Sequence, residues 1–322
     1  MTYTLYGPDP SGFTRKLEAA LIFYQAPFDR VIAIGEERET LKQRAGTHQL
    51  PVIRTPENWV LADTTPIMQL LDGRYPRRRM FGEGATGFFV HLLEEVLDEW
   101  VSRVYVHYRW HYSQNTRFAL ERLGGEIVAD PAIMADWGLR SCRATGTEPT
   151  EQRRAAEAEY LALLTAAEAQ LECTAWLLGE RPSAVDAALL GGLRAHTHHD
   201  PYPDLSEFPN VVACAEGARD DWDGGGTLEP FPVRGPFSDH LVQLAREYYV
   251  PFADSNRTAR LEGRKAFEMT VYGAPVSFLA RAYPEASRQM IATRYRDQLS
   301  AAEQQQVRDW LVSENLESVI RR

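Results

Sequence analysis

The chain has 322 residues, 44% hydrophobic and 25% charged, with a formal net charge of −10. That length accommodates two domains with sizeable cores plus an appendage, and the acidic balance argues against nucleic acid or an anionic membrane as a partner. No signal peptide or apolar run of membrane-spanning length is expected, and the three cysteines (Cys142, Cys173, Cys214) lack metal-ligand spacing, which fits reduced thiols in a cytoplasmic protein.

Tyr3-Thr4-Leu5-Tyr6 is rich in β-formers and predicts a first strand. The Gly7 to Gly12 stretch, with Pro8 and Pro10, breaks it as a loop. Phe13, Leu17, Ala20, Leu21 and Tyr24 have helical spacing. A second strand is expected over 28–34, then a connecting segment, a third strand at Leu50 to Arg54, a turn at Pro56-Glu57-Asn58 and a fourth strand at Trp59-Val60-Leu61. A helix opens near Thr65-Pro66 and runs through Leu71. This order predicts a small α/β domain with a mixed sheet. The basic run Arg74 to Arg79 precedes a Gly-rich stretch and predicts a solvated linker.

From Phe88 to about Ala218 the pattern is helical. Phe89, Leu92, Leu93, Val96, Leu97 and Trp100 mark one long amphipathic helix, and 151–171 marks another. Residues 224–236, rich in Gly and Pro, predict a boundary. Beyond it a mostly helical extension is expected. It contains Phe267, Val271, Val276 and Phe278, is too apolar for a disordered tail, and should fold back on the helical region. His196, His199 and Asp200 could share a helical face, but Pro201 and Pro203 follow, so a helix end is expected there and no metal site.

Four short motifs stand in order on these elements. Ser11-Gly12-Phe13-Thr14-Arg15-Lys16 opens the first helix, Gln49-Leu50-Pro51-Val52-Ile53 leads into the third strand, and Ala62-Asp63-Thr64-Thr65-Pro66-Ile67 opens the next helix. Ser183-Ala184-Val185-Asp186 reads as a capping box at a late apolar helix, with Gly179 permitting the turn before it. Together they resemble the glutathione S-transferase superfamily over roughly 1–220. The resemblance implies a thioredoxin-like glutathione-binding domain at 1–78, an all-helical domain at 86–225 and an unmatched extension at 226–322 packed on the helical domain.

What the resemblance implies for chemistry follows residue by residue. Ser11 would stabilise the thiolate of glutathione, with Tyr6, at the end of the first strand, as the alternative. This chain has Gly12 where the serine classes usually have Pro. Leu50, before a cis Pro51, would pair its backbone with the cysteinyl part of glutathione, and Gln49 would reach it through its amide. Thr64 would take the γ-glutamyl carboxylate and Asp63 the ammonium. Phe13, Tyr105, Tyr108, Arg109 and Tyr112 are candidates for a second-substrate pocket suited to aromatic or anionic groups. An aromatic core stripe is an equal reading of the last four. The expected activity is conjugation of glutathione, as co-substrate and without a metal, to a small electrophile by a homodimer. The alternative is a non-catalytic glutathione-binding or protein-interaction module on the same fold.

Overall fold

The computed structural model describes residues 2–123 and 131–321. Strand β1 (Tyr3–Tyr6), helix α1 (Gly12–Tyr24) and strand β2 (Phe28–Val31) form the first unit. Helix α2 (Gly35–Ala45) follows, then β3 (Val52–Arg54), β4 (Val60–Ala62) and α3 (Thr64–Arg74). Among the described residues these strands form one sheet in the order β2-β1-β3-β4, with β1 parallel to β2 and antiparallel to β3. The register places Leu5 opposite Ile53 and Tyr6 opposite Val52. This is a thioredoxin-like sheet flanked by helices. The expected connecting segment is itself helical. Leu41 is the buried residue of α2, so an apolar stripe was never present to read.

The helical region follows. Helix α4 (Gly84–Glu95) passes through a wider π turn (Val96–Val101) into α5 (Ser102–His111). Then come α6 (Ser113–Leu123), α7 (Pro131–Ala144), α8 (Thr150–Leu171), α9 (Ala184–Gly192), which continues as a π turn to Thr197, and α10 (Pro209–Ala215). The start of α9 uses Asp186 as a hub. Its carboxylate accepts the Ser183 N–H at 2.8 Å, the Ser183 hydroxyl at 2.7 Å and the Leu177 N–H at 2.9 Å.

Helix α9 is the floor on which α1 lies, and two adjacent glycines permit close packing, Gly191 toward α1 and Gly192 toward α5. A Cβ on Gly191 would sit 2.5 Å from the Gly12 carbonyl oxygen, and one on Gly192 2.0 Å from the Tyr105 ring. The basic run is not a solvated linker. Arg78 donates to the carbonyls of Phe23 and Trp222 at 2.9 and 3.2 Å and lies over the Trp222 ring. It pins the sheet region to the far end of the helical region.

After Gly235, helix α11 (Pro236–Leu244) leads through another π turn to α12 (Val250–Leu261). A hairpin then interrupts the expected helical pattern: β5 (Ala266–Val271) pairs antiparallel with β6 (Ala274–Leu279). The two-residue turn is Tyr272-Gly273, both at positive φ (49° and 78°), which suits a tight hairpin. Phe267, Val271, Val276 and Phe278 are its buried face. Helices α13 (Ala282–Gln298) and α14 (Ala301–Ser313) complete the chain. The extension rests on the helical region throughout: α11 on α8, and α13 and α14 on α4. Trp100 stacks on Tyr248 with ring centroids 5.3 Å apart, Phe89 meets Trp310 at 5.3 Å, and Gln152 donates to the Val271 carbonyl at 2.8 Å.

Candidate functional site

A cavity of ≈150 Å³ opens between the sheet region, α4 and the extension. Phe13 of α1 lines it, as do Gln49, Leu50 and Pro51 ahead of β3, and Asp63 and Thr64 at the head of α3. These residues come from three separate loops. The fold brings them together because β1 and β3 are neighbours and α1 and α3 lie on the same side of them. The Leu50–Pro51 bond is cis. Gln49 and Leu50 also line a broader hollow of ≈780 Å³ beside α2, so the two spaces adjoin.

Asp63 has φ 74° and ψ 122°, outside the usual regions for a residue with a Cβ. Such backbone persists where the surroundings hold it, often at binding sites. Burial raises the Asp63 carboxyl above its ordinary range, and Lys16 pulls against that.

The remaining walls carry residues that the sequence reading missed. Glu95, Asp98 and Glu99 enter from α4 and the π turn, and Arg281, Tyr283 and Ser287 from the extension. Arg281 pairs with Glu99 at 3.3 Å. Behind the acids lies Lys16, buried to 1%, whose ammonium is 2.5 Å from Glu94 and also contacts Asp98. Thr65 donates its hydroxyl to the same Glu94 oxygen at 2.7 Å. Burial opposes the Lys16 charge, but Asp98 and Glu94 outweigh it and raise the ammonium pKa. Burial likewise pushes the Glu94 carboxyl up to about 7, against the pull of Lys16. The signal for this wall was readable: four acids at 94, 95, 98 and 99 interrupt an otherwise apolar helix.

The other anticipated residues lie elsewhere. Ser11 is the N-cap of α1, its Oγ accepting the Thr14 N–H at 3.3 Å, and it is not part of the cavity lining. Tyr6 is buried on the α2 side of the sheet with Leu41 and Val52, and burial raises its hydroxyl pKa. Tyr105 and Tyr108 are buried against Tyr160, and Tyr108 stacks on Tyr112. The Tyr112 hydroxyl donates to Glu157 at 2.8 Å. Arg109 makes a two-pronged ion pair with Asp200, at 2.7 and 2.9 Å, and donates to the Pro10 carbonyl at 2.9 Å. It therefore clamps the loop that carries Ser11. Asp200 is thus engaged by Arg109, and His196 packs beside Tyr105.

Comparison with known proteins agrees with this architecture. Residues 5–79 match the family described as Glutathione S-transferase, N-terminal domain, and residues 128–216 match Glutathione S-transferase, C-terminal domain. Among solved structures, a glutathione S-transferase from Rhodospirillum rubrum F11 is 17% identical, covers 74% of this chain and 99% of its own, with a TM-score of 0.48. One from Methylobacillus flagellatus KT with GSH bound is 17% identical over 74% of this chain and 98% of its own, with a TM-score of 0.44. The β-etherase LigF from Sphingobium sp. strain SYK-6 is 15% identical over 76% of this chain and 100% of its own, with a TM-score of 0.46. No curated protein matches the chain.

Proposed function

The chain belongs to the glutathione S-transferase superfamily, and from that premise we propose that it binds glutathione in the cavity beside Leu50 and Asp63 and activates its thiol for attack on a small electrophile. The observation that carries this reading is the convergence of Phe13, Gln49, Leu50, Pro51, Asp63 and Thr64 on one cavity. The Leu50 backbone pairs with the cysteinyl unit as an added strand would. The Thr64 hydroxyl, at the start of α3 where the helix end favours negative charge, takes the γ-glutamyl carboxylate. Asp63, once ionised, accepts from the γ-glutamyl ammonium.

A glutathione thiol is largely protonated near neutral pH and is then a poor nucleophile. Ser11 sits at the N-terminus of α1, where the helix end favours negative charge. Its hydroxyl donates to the sulfur and stabilises the thiolate, while the thiol proton passes to solvent. The sulfur then forms a bond to the electrophilic carbon of the second substrate, and the bond from that carbon to its leaving group breaks, the group departing with the electron pair as an anion. Arg281, Tyr283 and Ser287 narrow the space left for that substrate.

Binding without catalysis is the second reading. It is favoured by one observation: Ser11 does not line the cavity. The two separate in a conjugation assay with a general aromatic electrophile. The catalytic reading expects glutathione-dependent turnover that falls when Ser11 is replaced by Gly; binding without turnover in the wild-type protein supports the alternative.

A further inference from the structure

Helix α4 presents His91, Glu94 and Glu95 at positions i, i+3 and i+4, which share one helical face. All three are buried, to 1% exposure or less. One donor atom from each lies within 4.8 Å of the others. Neither ring nitrogen of His91, nor Glu94 Oε2, nor Glu95 Oε1 has a hydrogen-bond partner. His91 Nε2 lies 3.6 Å from Glu95 Oε1, beyond hydrogen-bonding length. Each unsatisfied buried polar group costs about 1–3 kcal/mol, and more if charged. Several such atoms within reach of one another want a shared partner.

Of the surrounding cations, Lys16 is committed to Asp98 and to the other Glu94 oxygen, Oε1, and Arg281 to Glu99. Arg294 lies over the Phe81 ring and makes no ion pair with Glu94 or Glu95. Among the described residues Glu95 has no ion pair with a lysine or arginine. The Tyr249 hydroxyl, on the extension, is likewise fully buried and without a partner.

We propose that His91 Nε2, Glu94 Oε2 and Glu95 Oε1 bind one divalent transition-metal ion. One imidazole and two carboxylates without a thiolate suit zinc, manganese or ferrous iron. Ligand bonds to zinc run to about 2.0–2.2 Å, so these donors close on an ion through small side-chain rotations. Glu95 also lines the cavity, which lies on the side from which an ion would reach the site. The helix widens into a π turn directly after Glu95, at Val96–Val101, which carries Asp98 and Glu99 to the same cavity. Such insertions recur at functional sites.

The test uses the full-length protein, stripped with a chelator and titrated with Co²⁺ and with Zn²⁺. One ion per chain, a visible Co²⁺ absorption band and a higher melting temperature with Zn²⁺ are expected. His91→Gln and Glu95→Gln, each checked for folding by circular dichroism, weaken binding by about tenfold or more, whereas His198→Ala leaves it unchanged. Pulsed electron paramagnetic resonance of the Mn²⁺-loaded wild-type protein shows a single histidine nitrogen, whether or not the variants fold. A wild-type protein that holds no stoichiometric ion and melts unchanged overturns the proposal. So does binding that survives in both variants, or a resonance signature of two histidines or none.

Discussion

The Lys16 ammonium lies 2.5 Å from a Glu94 carboxylate oxygen, with both side chains at 1% exposure or less. This contact joins α1, on the sheet region, to α4, on the helical region, directly behind the candidate cavity. Breaking a buried pair by removing one partner costs about 3–5 kcal/mol, because the remaining charge stays buried and uncompensated. Lys16→Met should lower unfolding stability by that order in denaturant titration, and adding Glu94→Gln and Asp98→Asn should recover most of the loss. A single variant as stable as the wild type would contradict this role.

Gly191 sets how closely α1 approaches α9. Its Cβ would meet backbone, the Gly12 carbonyl at 2.5 Å and the Lys16 N at 2.9 Å, so neither neighbour can rotate aside. Gly191→Ala should destabilise the protein by about 1–3 kcal/mol. It should also weaken glutathione binding, since α1 carries both Ser11 and Phe13. Thermal melts and a binding isotherm on the same sample check both effects; an unchanged melt would mean that α1 shifts freely.

Ser11 is the α1 cap in this structure. Glycine replaces a serine cap at a loss of only a few tenths of a kcal/mol. Ser11→Gly should therefore melt almost as the wild type does, yet raise the pKa of bound glutathione. The thiolate absorbance of the binary complex, followed against pH, gives the answer. Superimposed curves would remove Ser11 from the chemistry.

Asp63 gives the site a pH dependence. Its folded pKa is raised above the ordinary value of 3.8, chiefly by burial. In the free protein its contribution to stability is full below 3.8 and is lost as pH rises through the folded value. A ligand ammonium prefers the ionised form, so glutathione affinity should strengthen with rising pH through that same acid range. Calorimetric titrations at several pH values should show the slope, and Asp63→Asn should flatten it. An equal slope in the variant would assign the titration to another group.

Arg281 and Tyr283 bring the extension into the cavity wall. Tyr283→Ala should enlarge the space and raise kcat/KM for bulky electrophiles relative to small ones. A constant ratio across a size series would place the second substrate elsewhere.

The sheet region was legible because its strands carry β-formers and its loops carry Gly and Pro in the right places. The family resemblance of Leu50-Pro51 and Asp63-Thr64 anticipated residues that converge on one cavity. Helix α2 was not legible, since it is almost wholly exposed and charged and has no apolar period. The β5–β6 hairpin was missed although Tyr272-Gly273 between alternating apolar residues signals one, because the helical texture on both sides dominated the reading. The aromatic stripe at Tyr105 and Tyr108 has the spacing of a pocket wall and of a core alike, and only packing separates the two. The acidic wall was missed for another reason. Lys16 lies about 80 residues from its partners Glu94 and Asp98 in sequence, and no local pattern reports such a pairing.

The most direct test of the central claim is calorimetric titration of glutathione into the wild-type protein and into Asp63→Ala/Thr64→Ala. Hydrogen bonds to charged groups contribute about 1.5–3 kcal/mol each, so the double variant should lose a few kcal/mol of affinity while keeping its melting temperature. A dissociation constant that is the same in both proteins, or no measurable binding to the wild type, would contradict a glutathione site at Leu50 and Asp63.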